Sequence, residues 1–348
     1  MDNPLAFPLH RLVNPSRRHA LAVLGLALGL AQLPSQAQTA PKLERLVVAL
    51  WSKPITEVTH LLAEPEKGFF KARGIELVTV PGAGGGDALR NLLSGQADVA
   101  FTDPGSFFAA LDKGEKLRAI YDIYPQNVFN VVSLKAQAIT RPADLKGKRI
   151  GVYSLSSGTR QNLQVLLHQA GLSEADVTIV VTGLLNFAPL MQGQVDATAA
   201  TDTGLLVGQQ KGLGEVNVMQ VRDYLNLSSD LFVVREETYQ QKKDLLRRFV
   251  QAHQDSAAWM QRAPQEAAQL AARYALDGQN LPTNLAIIGL RNAASVSPAT
   301  AQRGLGAFDL ASLQKGADAY RAFGAIQRDI RVADVVSQDL LPNIAGKP

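Results

Sequence analysis

The chain has 348 residues, 46% of them hydrophobic and 19% charged, a globular composition long enough for two compact lobes. It contains no cysteine, which excludes disulfides, thiolate chemistry, cysteine metal sites and a lipid anchor on cysteine. The formal net charge is +4 and no basic stripe with interleaved aromatic residues occurs, so nucleic acid is not expected as a partner.

Taken in chain order, the first feature is an export signal over residues 1–37. Arg17-Arg18 precede an apolar run from Leu21 to Leu30, and Ser35-Gln36-Ala37 supply small residues at the −3 and −1 positions. The run is shorter than the roughly 20 residues that span a bilayer, so cleavage after Ala37 and export to the periplasm are expected. The Arg pair permits the twin-arginine route as well as the general one. No later segment reads as membrane-spanning.

From Leu43 onward, short β-branched or apolar runs alternate with helical stretches, the pattern of an α/β fold. Strands are predicted at 45–50, 75–80, 98–101, 117–122, 128–134, 149–153, 177–181, 195–199, 215–221 and 231–235. Several are almost wholly apolar, as expected where helices cover both faces. Residues 236–276 read as amphipathic helix broken at Pro264, with Phe249 and Trp259 turned to the core. Further helices are predicted around 310–323 and 332–340.

One internal echo stands out. Gly95-Gln96-Ala97-Asp98 leads to Thr102-Asp103, and Gly193-Gln194-Val195-Asp196 leads to Thr201-Asp202. Each follows a strand, a glycine-containing turn and a helix, so the chain is predicted to use one α/β unit twice.

In open α/β sheets, ligands bind beyond the carboxyl ends of the strands. The candidate ligand-binding residues are therefore those just past strand ends: Trp51 and Ser52, Gly84 and Gly85, Thr102 and Asp103, Ser156 to Thr159 (Ser157 and Gly158 between them), Asn186, and Asp202. The stretch from Ser156 to Arg160 opens a helix. Its free N–H groups, with the Ser and Thr hydroxyls as added donors, suit a carboxylate or sulfonate, although plain N-capping explains the same residues. Asp103 and Asp202 are read as either caps or ligand contacts, and Trp51 as either a ring platform or a core cap. The glycine run at 82–86 lacks the Gly-Lys-Ser/Thr of a phosphate loop and the spacing of a dinucleotide fingerprint. Histidines at 60, 168 and 253 lack metal-site spacing, and no nucleophile elbow occurs. No catalytic residue, cofactor or metal is therefore expected.

Four segments carry a family resemblance: Lys67-Gly68-Phe69-Phe70 with Gly74-Ile75, Leu93 to Phe101 around Ser94-Gly95-Gln96-Ala97-Asp98, Asp144-Leu145-Lys146-Gly147-Lys148-Arg149-Ile150-Gly151-Val152, and Gly193-Gln194-Val195-Asp196-Ala197. Together they resemble the NMT1/THI5-like periplasmic binding proteins of the nitrate/sulfonate/taurine type. The resemblance implies a periplasmic binding protein type II-like fold, with two α/β lobes joined by two hinge strands and a ligand cleft between them. The implied division is 38–129 plus 233–348 for lobe one and 130–232 for lobe two, with crossings near 128–131 and 231–234. It further implies a monomer that closes by hinge motion on a small solute and delivers it to an ABC transporter permease. A small anion such as a sulfonate, carboxylate or nitrate is the expected solute. The alternatives are a thiamine-precursor-like pyrimidine, a ligand-sensing role, and an enzyme on the same fold. The pyrimidine synthase branch carries a cysteine-rich stretch absent here, and the menaquinone-pathway branch is cytosolic.

Overall fold

The computed structural model describes residues 43–185 and 187–342, so the expected signal segment and Asn186 lie outside the described residues. In chain order the strands are β1 (Glu44–Ala49), β2 (Ile75–Val80), β3 (Val99–Thr102), β4 (Leu117–Tyr124), β5 (Phe129–Leu134), β6 (Arg149–Val152), β7 (Thr178–Val181), β8 (Ala197–Thr201), β9 (Val216–Gln220) and β10 (Asp230–Arg235). All ten expected strands are present, with ends displaced by at most two residues. They form two five-stranded sheets, β2-β1-β3-β10-β4 and β7-β6-β8-β5-β9.

The two sheets share one plan. In the first, β1 runs parallel to β2 and β3, while β10 is antiparallel to both β3 and β4. In the second, β6 runs parallel to β7 and β8, while β5 is antiparallel to both β8 and β9. The second sheet is built from the consecutive strands β5 to β9, while the first takes β10 from beyond them, and the two passages this requires tie the halves together.

The sequence echo has a structural cause. Gly95 and Gly193 adopt φ of +80° and +68°, left-handed values that end the preceding helix and that a side chain would strain. The Asp three residues later then bonds the middle one of the three parallel strands, at both ends of one residue. Asp98 donates its N–H to Val47 O at 2.9 Å and accepts from Val47 N at 3.0 Å through its carboxylate. Asp196 does the same with Arg149, at 2.8 Å in both directions. The repeat is a device for starting a strand, and it lies at the end of each sheet away from the cleft.

Helices cover the sheets as the apolar strands require. The Lys243–Arg262 helix packs Phe249 on Phe232 of β10, with ring centroids 5.1 Å apart, and on Phe70 at 5.6 Å. Trp259 is buried in a satellite core and donates to Glu266 at 2.8 Å. His60 and His253 meet edge to face at 4.7 Å in the main core, against Phe101, Tyr121, Tyr124 and Phe232. Burial holds His60 down to about 3 and His253 well below the usual imidazole range, so both are neutral aromatic packing. The helix expected at 332–340 shrinks to Val332–Val335, and the Leu281–Ala294 helix, capped by Asn280, arises where no element was predicted.

The chain passes from β4 to β5 through residues 125–128 and returns from β9 to β10 through 221–229. The expected crossings at 128–131 and 231–234 thus begin just as each passage ends. Most of those residues are ladder members of a single sheet. The two passages lie side by side and are laced by polar side chains. Asn127 N donates to Asn226 Oδ1 at 3.0 Å, Ser229 Oγ donates to Gln126 O at 2.6 Å, and Ser228 Oγ donates to Asp122 Oδ2 at 2.7 Å.

Asp122 is buried at this hinge, and its Oδ1 has no partner. Burial pushes its carboxyl up to about 8, against a partial lowering by Ser228. The folded protein then keeps a proton that the unfolded chain releases near 3.8, so this group lowers stability progressively as pH rises from about 4 to 8. Asp122→Asn should flatten the pH dependence of chemical unfolding across that window and raise stability at pH 8. An unchanged pH profile would show that Asp122 is ionised in the folded state.

Candidate functional site

A cleft of about 440 Å³ lies between the two sheets. Of the sequence candidates, Trp51, Gly84, Gly85, Asp103, Ser157, Gly158 and Thr159 line it. Ser52 and Thr102 are fully buried behind it, and Thr102 Oγ1 donates to Gly85 O at 2.9 Å, holding the glycine loop. Ser156 sits at a contact between lobes, and Asp202 is held in an ion pair beside the cleft. Asn186 lies outside the described residues.

The helix start at Gly158 differs from the sequence reading in one respect. Its hydroxyls are not free donors. Ser157 Oγ donates to Ser154 O at 2.7 Å, and Thr159 Oγ1 lies 2.7 Å from Ser157 Oγ while accepting from Tyr153 N at 3.0 Å. Because the one hydroxyl proton of Ser157 goes to Ser154 O, Thr159 Oγ1 is the donor to Ser157 Oγ. The hydroxyls therefore fix the 153–159 turn, and Ser157 makes no side-chain cap bond. Arg160 turns away, paired with Glu174 at 2.6 Å.

Facing this positive helix end is a carboxylate of the protein itself. A side chain on Gly158 would begin 2.6 Å from the Phe129 ring, so only glycine fits, and the Cβ of Asp103 lies 3.3 Å from the same point. Asp103 caps the Pro104–Asp112 helix by accepting from Ser106 N and Ser106 Oγ, both at 2.8 Å. Burial raises its pKa, and the Ser106 bonds offset part of that rise. Asp202, by contrast, is not a cap. Thr201 caps its helix by accepting from Gly204 N at 3.2 Å.

Two sets of bonds hold the lobes together across the cleft. On one side the glycine run meets the 154–156 turn: Gly86 N donates to Ser156 O at 3.0 Å and Ser154 Oγ to Ala83 O at 2.5 Å. Gly84, at φ +132°, brings its Cα so close that a Cβ would stand 2.5 Å from Ser156 O. On the other side is Arg291, only 1% exposed, which the sequence analysis missed along with its helix. Its guanidinium pairs with Asp202 of lobe two, lies 3.7 Å from Glu57 of lobe one, and stacks on Tyr124 at 5.1 Å. Glu57 also accepts from Thr203 of lobe two at 2.8 Å.

The remaining walls are aromatic and acidic. Trp51 and Tyr153 come from opposite lobes and meet edge to face at 6.3 Å, with Phe129 also lining the cleft. Trp51 packs its other side on core Phe101 at 6.4 Å, so it serves core and cleft together. Glu57, Asp103 and Asp230 contribute carboxylates, each with a pKa raised chiefly by burial. Among the described residues, no three acidic or histidine side chains converge as metal ligands.

Removing Arg291 would leave Glu57 buried without its counter-charge. Arg291→Met should therefore cost about 3–5 kcal/mol in chemical unfolding. The double variant Arg291→Met with Glu57→Gln should recover part of that loss. Wild-type stability of the single variant would mean that the guanidinium does not hold the lobes.

The comparisons with known proteins bear on this architecture. The family model described as "NMT1/THI5 like" matches residues 55–267. The riboflavin-binding protein RibY of Chloroflexus aurantiacus is 25% identical over 307 residues, covering 87% of each chain. The 4-amino-5-hydroxymethyl-2-methylpyrimidine phosphate synthase of Schizosaccharomyces pombe is 24% identical over 199 residues, 53% of this chain and 57% of that one. Among solved structures, the alkanesulfonate-binding protein SsuA from Xanthomonas axonopodis pv. citri, bound to MOPS, aligns with a TM-score of 0.65 at 20% identity over 84% of this chain and 98% of that one. Two five-stranded sheets joined by two passages and enclosing a cleft are the periplasmic binding protein fold, and with more than half of its length matched, this chain belongs to the NMT1/THI5-like family.

Proposed function

We propose that this protein is the exported solute-binding component of an ABC importer, a monomer that closes two lobes, 38–129 plus 233–348 and 130–232, over a small heteroaromatic solute and releases it unchanged to a membrane permease. The observation that carries this reading is the composition of the cleft. Aromatic side chains from both lobes line a space of about 440 Å³, and bonds between lobes flank it on two sides. Such a volume falls within the usual range for small-molecule sites, and an aromatic wall completed only by closure favours a flat ring.

The same cleft argues against the small anion expected from sequence. A sulfonate or nitrate at the Gly158 helix start would meet Asp103 there, with Glu57 and Asp230 on the same walls. Two relatives whose names refer to riboflavin and to a pyrimidine support a heterocycle instead. Among the described residues no arrangement of nucleophile, base and orienting group lines the cleft, which favours carriage over catalysis.

A thermal-shift and tryptophan-fluorescence screen against riboflavin, 4-amino-5-hydroxymethyl-2-methylpyrimidine, MOPS and nitrate tests this. A heterocycle should raise the melting point by mass action and be recovered unchanged. Trp51→Leu should weaken that ligand by roughly two- to tenfold, and Trp51→Phe by less. A shift with MOPS or nitrate alone would overturn the heterocycle, and a chemically altered ligand would make the protein an enzyme.

A further inference from the structure

Three buried carboxylates line the cleft, and they are not equivalent. Asp103 is satisfied by Ser106, and Glu57 by Thr203 and Arg291. Asp230 is different. It is the first residue of β10, immediately after the second passage between lobes, and only 7% of it is exposed. It lines the cleft, yet among the described residues its carboxylate has neither a hydrogen-bond nor an ion-pair partner. The charges around it are Asp103, Glu57 and Asp122, all of its own sign, and they add to the effect of burial in pushing its pKa well above the carboxylate range. Arg291 is already engaged by Asp202 and Glu57, and Lys211 lies at the exposed rim of the cleft.

A buried carboxylate left without donors is unfavourable unless something supplies them. Convergence of three acidic side chains on a metal is not found among the described residues, so the donor is organic. It must be flat enough for the Trp51, Tyr153 and Phe129 walls and must present N–H groups at its edge. Resting on the reading of the cleft as a heterocycle site, we propose that Asp230 selects the solute, and that the solute is a basic, amino-substituted nitrogen heterocycle. A ring nitrogen that carries a proton beside an exocyclic amino group offers two parallel N–H bonds, which match the two oxygens of one carboxylate. A ring without a basic nitrogen at this edge leaves the proton on Asp230 and forms only neutral hydrogen bonds, which are about half as strong as charge-assisted ones.

The test is isothermal titration of the wild type and Asp230→Asn with three probes: 4-amino-5-hydroxymethyl-2-methylpyrimidine, its 4-oxo analogue and riboflavin. Asparagine keeps the shape and one acceptor but loses the charge. The wild type should bind the amino compound at least about tenfold more tightly than the 4-oxo analogue, and Asp230→Asn should lose about that factor for the amino compound alone. Without ligand, the variant should melt at the wild-type temperature or above it, because burying Asp230 requires the carboxyl to take up a proton that the unfolded chain has released, a cost the amide does not carry. Equal or tighter binding of the 4-oxo compound or riboflavin by the wild type would overturn the proposal and leave the heterocycle carrier standing. So would full affinity of Asp230→Asn for the amino compound. Binding of none of the three would overturn both readings.

Discussion

A guanidinium shut away from water where two lobes meet is the constraint on which the rest of this structure depends. Arg291 reaches from the Leu281–Ala294 helix of lobe one to Asp202 of lobe two and lies over the Tyr124 ring beside Glu57. Carboxylates are costly to bury, and this protein buries four at or near the lobe boundary: Glu57, Asp103, Asp122 and Asp230. Arg291 compensates the first and Ser106 the second. Ser228 partly compensates the third, and nothing among the described residues compensates the fourth. The cleft is therefore acidic by construction, and its character as a binding site follows from which charges the fold satisfies for itself.

The two-lobed frame that makes this possible is a repeat with one exchange. Each half builds three parallel strands in the same order and starts its third with a left-handed glycine and an Asp that bonds the central strand. The first then takes β10, which returns through the second passage, and the second takes β5, which enters through the first, each antiparallel to the third strand of its unit. Because strand ends point the same way in both units, their carboxyl-terminal loops face each other. Close approach at Gly84 then depends on the absence of a side chain, since a Cβ there would strike Ser156 of the opposite lobe, and at Gly158 a Cβ would strike the Phe129 ring.

Much of this frame was legible in the sequence because it rests on local signals. Short β-branched runs between turn residues marked all ten strands, and the Asp103-Pro104 pair marked a helix start. The site was legible only in part, because its chemistry depends on partners distant in the chain. Ser156, Ser157 and Thr159 were visible as hydroxyls, but the carbonyl and hydroxyl oxygens that engage them were not. Arg291 was missed with its helix, although Asn280 followed by Pro282 was an available N-terminal signal. Glu57 lies in a single short turn with no pattern of its own. Asp230 was lost to a one-residue error in the start of a strand, which hid a charged residue at the edge of the cleft. The expected anion followed from the helix start considered alone, and it gave way once the carboxylates from the other elements were placed around it.

The most direct test of closure on a heterocyclic solute is small-angle X-ray scattering of the protein alone and saturated with 4-amino-5-hydroxymethyl-2-methylpyrimidine. The account predicts a smaller radius of gyration with solute, as the Arg291–Asp202 and Gly86–Ser156 contacts form across the cleft. Saturation with no change in radius would contradict it, because binding would then not involve the movement of one lobe against the other.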